Sequence, residues 1–155
     1  MNAMNKPSNP QRDMIGAWAK RCYLAGRAVM DATLRPYDLG ATQWYVLHQL
    51  ANVGPTMQRD LLQMLQIERA TLSVVVGTLV RKGWVEQVAD EADQRQKCIR
   101  ITTAGKKLWS KLPDLGFIRS EAFDGMDDAD IAAAIKVLQA ATERLDALLR
   151  KGTRT

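Results

Sequence analysis

The residues in this chain best suited to chemistry are cations and small side chains, and the chemistry they suit is the holding of a polyanion. Arg95 and Lys97 lie two apart in the polar segment DEADQRQK, where flexible basic groups can reach phosphates or enter a narrow minor groove. Upstream, the stretch ERATLSVVVGTLVRK carries Arg69 and Arg81 at its ends. At helical spacing its apolar residues Leu72, Val75, Val76, Leu79 and Val80 form one stripe, while Ala70, Val74, Gly77, Thr78 and Arg81 project the other way, flanked by Thr71 and Ser73. Small residues and one valine on an outward face allow close approach to base edges and contact with thymine methyl groups. An ordinary amphipathic helix with a bland outer face would read the same way, and exposed hairpin tips are commonly charged. Asp90, Glu91 and Asp93 in that tip would repel DNA unless paired internally.

Catalytic parts are missing from the pattern. The chain has one histidine and two cysteines, Cys22 and Cys98, with no Cys-x-x-Cys pair, Gly-rich phosphate loop or nucleophile motif. We therefore expect no enzyme, no metal site, no cofactor and no disulfide, with both thiols buried and reduced.

The elements that must position these residues follow from periodicity. The 155 residues suffice for one folding unit, with 46% hydrophobic and 25% charged residues as in soluble globular proteins. No run is apolar enough for a membrane span or a secretion signal, so a cytoplasmic protein is expected. The net charge of +5 is a weak signal, but its distribution is uneven. Residues 56–112 hold ten Lys or Arg against six Asp or Glu, and residues 113–155 six against eight.

Ile15, Trp18, Cys22, Ala25 and Val29 predict a first helix ending near Pro36. Thr42 is a candidate N-cap for a second helix bearing Trp44, Leu47, Leu50 and Ala51, stopped by Gly54-Pro55. Thr56 is a candidate cap for a short third helix with Leu61, Leu62 and Leu65. A tight connection at Gln66-Ile67 leads to the helix from about Glu68 to Lys82, closed by Gly83. WVEQVA and KCIRIT alternate as strands and predict a two-stranded hairpin. Thr102 or Thr103 then caps a helix carrying Leu108 and Leu112, interrupted at Pro113 and Gly116. A last helix starts after Met126, with acidic residues at its start and Arg150 and Lys151 at its end, as the helix dipole favours. Ile131, Ile135, Leu138, Leu145 and Leu149 form a heptad-like seam on it, broken by Thr142, which reads either as intramolecular core or as a dimer seam.

The succession is that of a winged helix-turn-helix: mainly α, with a small β-hairpin wing and with N- and C-terminal dimerisation helices. The expected organisation is a flexible tail over 1–10, a single unit over 11–150 and a flexible tail over 151–155. Within the unit, 11–36 and 113–150 are the dimerisation helices and 42–112 the DNA-binding lobe. Two-fold symmetry would place two such lobes on a near-palindromic duplex site, with half-sites about 34 Å apart.

The stretch LVRKGWVEQVADEADQRQKCIRITTAGKKL resembles the MarR family of bacterial regulators at Leu79, Gly83, Trp84, Val85, Asp93, Arg95, Ile101, Thr102 and Gly105. LGATQWYVLHQL is similar to the family's second helix, and the resemblance runs in order over roughly 12–150. It implies a homodimeric transcriptional regulator, a repressor released from a palindromic operator by a small aromatic, phenolic or carboxylic effector. It implies that Arg95 enters the minor groove and that Asp93 braces the wing. The chain departs from the family where many members have an arginine in the recognition helix and Val74 stands instead. Trp18, Arg21, Tyr37, Trp44, Tyr45 and His48 could wall an aromatic acid, or serve only as core and interface aromatics. Some relatives sense peroxide through a first-helix cysteine, so Cys22 is either a redox switch or a structural thiol on the apolar stripe. A winged-helix module that binds protein rather than DNA is the remaining alternative.

Overall fold

The computed structural model describes residues 9–152; of the terminal tails expected over 1–10 and 151–155, residues 1–8 and 153–155 lie outside the described residues. The chain divides into two compact units, Met1–Leu115 and Gly116–Thr155, and each is described by itself.

The first unit begins with α1 (Pro10–Leu34), whose start is set by Asn9: its side chain accepts from the Gln11 N–H at 3.0 Å, and Pro10 occupies the first turn, where a missing N–H costs nothing. Asn9 and Pro10 thus belong to the helix and not to the N-terminal tail. A 3-10 turn (Arg35–Tyr37) leads through Asp38, at φ 57°, into α2 (Ala41–Asn52).

Thr42 is not the cap of α2. The helix starts one residue earlier, with the Gly40 N–H donating to Gln43 Oε1 at 3.1 Å and the Ala41 N–H donating to Asp31 Oδ1 of α1 at 2.7 Å. The Thr42 hydroxyl accepts from the Arg27 guanidinium instead, a second tie between the two helices.

Nor does Thr56 cap α3 (Gln58–Leu65). Thr56 and Met57 form a two-residue strand, β1, opposite Ile99 and Cys98. The Thr56 hydroxyl donates to Gly54 O at 2.9 Å and accepts from Gln49 Nε2 at 3.3 Å rather than from a helix N–H. The expected hairpin, β2 (Val85–Ala89) and β3 (Lys97–Ile101), is therefore part of a three-stranded antiparallel sheet in the order β1-β3-β2. Glu86 stands opposite Arg100 and pairs with it at 2.8 Å.

Between sheet and turn lies α4 (Arg69–Arg81). Gln66 enters the α3–α4 turn at φ 54°. The far end of α4 closes on Gly83, at φ 76°, with Gly83 N donating to Val80 O at 2.9 Å and Trp84 N to Leu79 O at 3.1 Å; this paired closure needs a left-handed residue. Lys82 reaches back to the end of the α1 segment: its ammonium pairs with the Asp38 carboxylate at 3.0 Å, donates to the Asp38 carbonyl and sits 5.0 Å over the Trp84 ring.

Thr102, not Thr103, caps α5 (Thr103–Lys111). Its hydroxyl accepts from Gly105 N at 3.1 Å and donates to Gly83 O at 2.6 Å, while its N–H donates to Trp84 O at 3.0 Å. The core of this unit gathers Met30 and Leu34 from α1, Val46, Leu47 and Leu50 from α2, Leu61 from α3, Leu72, Val76 and Leu79 from α4, and Val85 and Ile99 from the sheet. Val80, expected in the stripe of α4, lies partly outside it because the buried arc is set by Leu72, Val76 and Leu79.

The apolar stripe of α1 does not face this core. Ile15, Trp18, Cys22 and Val29 are exposed, because a helix of 25 residues extends well past the lobe and only Met30 and Leu34 in its last turns are buried. The expectation of buried thiols is corrected likewise: Cys22 is exposed and Cys98 half-buried.

The second unit contains α6 (Gly116–Phe123) and α7 (Asp128–Arg150). Asp127 caps α7 by accepting from Ala129 N at 2.7 Å. Lys151, expected in the C-terminal tail, is the C-cap of α7. The seam residues Ile135, Leu138, Leu145 and Leu149 are all exposed in the single chain, as is expected of a helix whose apolar side awaits another surface.

Candidate nucleic-acid interface

The outward side of α4 and the wing share one concavity. A cleft of about 800 Å³ is lined by Gln58, Arg59 and Leu62 of α3, by Arg69, Ser73 and Gly77 of α4, and by Gln87, Asp93, Arg95, Gln96 and Lys97 of the wing. Arg69, Ser73 and Gly77 are four apart, which aligns them along one edge of the helix. Their strand-side counterparts are held in register by the β2–β3 ladder and by the Gln87 amide, which donates to Gln58 Oε1 at 3.1 Å.

Four cations, Arg59, Arg69, Arg95 and Lys97, face one carboxylate, Asp93, in that lining. The carboxylate is already engaged. Asp93 Oδ1 accepts from the Arg95 N–H at 3.1 Å and lies 3.6 Å from Arg95 Nε. Asp93 N donates to Asp90 Oδ2 at 3.2 Å, Gln96 N to Asp93 O at 2.9 Å, and Asp90 N to Gln96 O at 2.9 Å. The acidic residues of the tip thus satisfy its backbone and fix its turn. The Arg95 side chain is left 94% exposed, with an ion pair too solvated to hold it.

Beside the cleft, Ala70, Thr71 and Val74 are exposed and Thr78 is half-buried. The Thr78 hydroxyl donates to Val74 O at 3.0 Å and accepts from Arg81 Nη2 at 3.1 Å, which folds the guanidinium back over the last turn. All ten residues expected to approach DNA, Arg69, Ala70, Thr71, Ser73, Val74, Gly77, Thr78, Arg81, Arg95 and Lys97, belong to α4 or the wing. Gln58, Arg59, Gln87 and Gln96 were not singled out in the sequence. Arg59 could have been, as a cation in the first turn of the helix that precedes the helix-turn-helix bend; the glutamines carry no signal without the fold.

The aromatic candidates separate into two groups. Trp44, Tyr45 and His48 of α2 gather with Trp109 of α5, which periodicity did not single out. Trp44 stacks on His48 at 4.9 Å, meets Tyr45 edge-on at 5.2 Å and tilts against Trp109 at 5.4 Å; His48 meets Trp109 at 5.8 Å. On α1, the Arg21 guanidinium stacks over Trp18 at 5.2 Å, next to exposed Cys22. Tyr37 is half-buried in the 3-10 turn. Among the described residues no cluster of His, Cys, Asp or Glu could hold a metal ion, and no helix is long and apolar enough to cross a membrane.

The model of the MarR family matches residues 37–96. YwoH of Bacillus subtilis (strain 168), an uncharacterised HTH-type transcriptional regulator, is 30% identical over 79 residues, which are 51% of this chain and 57% of that protein. The chain thus spans little more than half the length of this curated relative. Among solved structures, a MarR family transcriptional regulator of Streptomyces coelicolor in complex with DNA superposes with a TM-score of 0.78 over 93% of each chain at 18% identity. The BpsR protein of Bordetella bronchiseptica, whose DNA binding is regulated by 6-hydroxynicotinic acid, superposes with a TM-score of 0.70 over 83% of this chain and 98% of its own, at 24% identity. Residues 37–96 thus resemble the MarR family, and the fold around them is that of winged helix-turn-helix proteins.

Proposed function

We propose that the protein is a sequence-specific, DNA-binding transcriptional regulator that acts in the cytoplasm as a homodimer on a near-palindromic operator. The single observation that carries this reading is the shared concavity of α4 and the wing, with four cations and an internally satisfied carboxylate around it. In the docked state α4 enters the major groove, Arg59, Arg69 and Lys97 meet phosphates, and Arg95 extends from the braced tip into the adjacent minor groove. The relatives that are transcriptional regulators, one of them in complex with DNA, support it.

A second copy of the chain is the partner that the exposed seams call for. Ile15, Trp18 and Val29 on α1, and Ile135, Leu138, Leu145 and Leu149 on α7, are too apolar for a surface that stays wet. The Trp44, Tyr45, His48 and Trp109 group is our candidate wall for a small aromatic or carboxylic effector whose binding releases the operator. The regulation of BpsR by an aromatic acid supports this assignment.

Selection of bound duplexes from a random pool, followed by a salt titration of the best site, tests the reading. A palindromic consensus and a steep fall of affinity with salt are expected. Failure to enrich any sequence, with capture of a protein partner that persists in high salt, would overturn it in favour of a protein-binding winged helix.

A further inference from the structure

Resting on that reading, we propose that Val74 is a specificity-determining residue that selects a 5-methyl pyrimidine, thymine in ordinary DNA, at one position of each half-site. The helix geometry puts Val74 almost opposite the buried arc of Leu72, Val76 and Leu79, at the point of α4 that reaches farthest from the core. It is 68% exposed, and Ala70, one turn earlier on the same face, is exposed as well.

The groups that could read a base by hydrogen bonding are drawn away from this point. Arg69 and Ser73 lie along the cleft edge facing the wing. At the other end, the Thr78 hydroxyl spends its one proton on Val74 O, and its oxygen holds the Arg81 guanidinium. Between them α4 presents the methyl groups of Ala70 and Val74 beside the exposed Thr71 hydroxyl, and the pyrimidine C5 methyl is the one apolar feature a major groove offers. The cationic rim of Arg59, Arg69, Arg95 and Lys97 supplies the charge complementarity that makes duplex DNA the occupant of this face.

The test is a uracil scan of the selected operator, replacing each thymine in turn, since uracil keeps the pairing and removes only the methyl. One position per half-site should lose affinity by about fourfold for the buried methyl. That penalty should disappear in Val74→Ala, whose melting temperature should match the parent because the side chain touches no core residue. If no uracil substitution matters, or if Val74→Ala retains the same penalty, the assignment of Val74 is overturned while the DNA-binding reading stands. If the parent protein enriches no duplex at all, the DNA-binding reading itself falls, and the Val74 assignment with it.

Discussion

Gly105 lies so close to Trp84 that a Cβ on it would stand 2.1 Å from the Trp84 carbonyl oxygen and 2.7 Å from Ile101 Cγ1. The close approach brings the first turn of α5 onto the start of β2, where Trp84 O already accepts from Thr102 N. One position without a side chain thus lets α5 pack directly on the backbone at the start of β2. Gly105→Ala should destabilise the protein by about 3 kcal/mol through overpacking against backbone that cannot yield. Thermal unfolding would read this as a fall in Tm of about 6–12 °C, and an unchanged Tm would mean that α5 can slide away from β2.

Thr102 serves the same junction with three hydrogen bonds. Thr102→Ala removes the cap on Gly105 N and the donor to Gly83 O, at a cost of about 1–2 kcal/mol. Thr102→Ser keeps both and should recover most of the loss in urea denaturation. Equal destabilisation by the two variants would show that the methyl, not the hydroxyl, matters.

Gln66 occupies left-handed backbone at φ 54° between α3 and α4, where glycine has no steric cost. Gln66→Gly should raise stability by about 0.5–1 kcal/mol, and Gln66→Val should lower it. The paired substitutions, followed by denaturant midpoint, separate backbone strain from loss of the side chain, whose amide donates to Gln63 O.

Arg95→Ala should weaken binding to every operator sequence and lower the slope of log affinity against log salt by about one for each subunit bound, with no change in Tm because the side chain is almost wholly solvated. Asp93→Ala should weaken binding too, but through a loosened tip. Amide hydrogen exchange at Arg95 and Gln96 should rise in that variant and not in Arg95→Ala.

Leu145→Glu, at a position of α7 that is 62% exposed in the single chain, should leave the fold intact and shift the protein towards monomer in sedimentation velocity. A dimer of undiminished affinity would remove α7 from the subunit interface.

The parts of this structure legible in the sequence are those in which neighbours along the chain decide the outcome. The face of α4 could be read because Leu72, Val76 and Leu79 recur at helical spacing, and the wing because two alternating runs flank a polar tip. Of the tip acids expected to pair with basic neighbours, Asp93 pairs with Arg95, whereas Asp90 accepts from the Asp93 backbone N–H instead. What escaped notice depends on distant partners. β1 is two residues long, too short for periodicity, and exists only because β3 offers an open edge. Thr42 and Thr56 look like caps in sequence, but the cap of α2 comes from Asp31, ten residues upstream of Ala41. Trp109 joins Trp44 and His48 only once α5 has folded onto α2. The stripe of α1 is legible as a pattern, but a hydrophobic period identifies a face and not the chain that covers it.

Lys82 and Asp38 couple the last residue beyond α4 to the loop in which α1 ends. The Lys82 ammonium is largely withdrawn from solvent and meets the Asp38 carboxylate, the Asp38 carbonyl and the Trp84 ring at once. Replacing Lys82 would therefore loosen the turn after α1, the end of α4 and the entry to the wing together, since one ammonium is the knot in which the three segments meet.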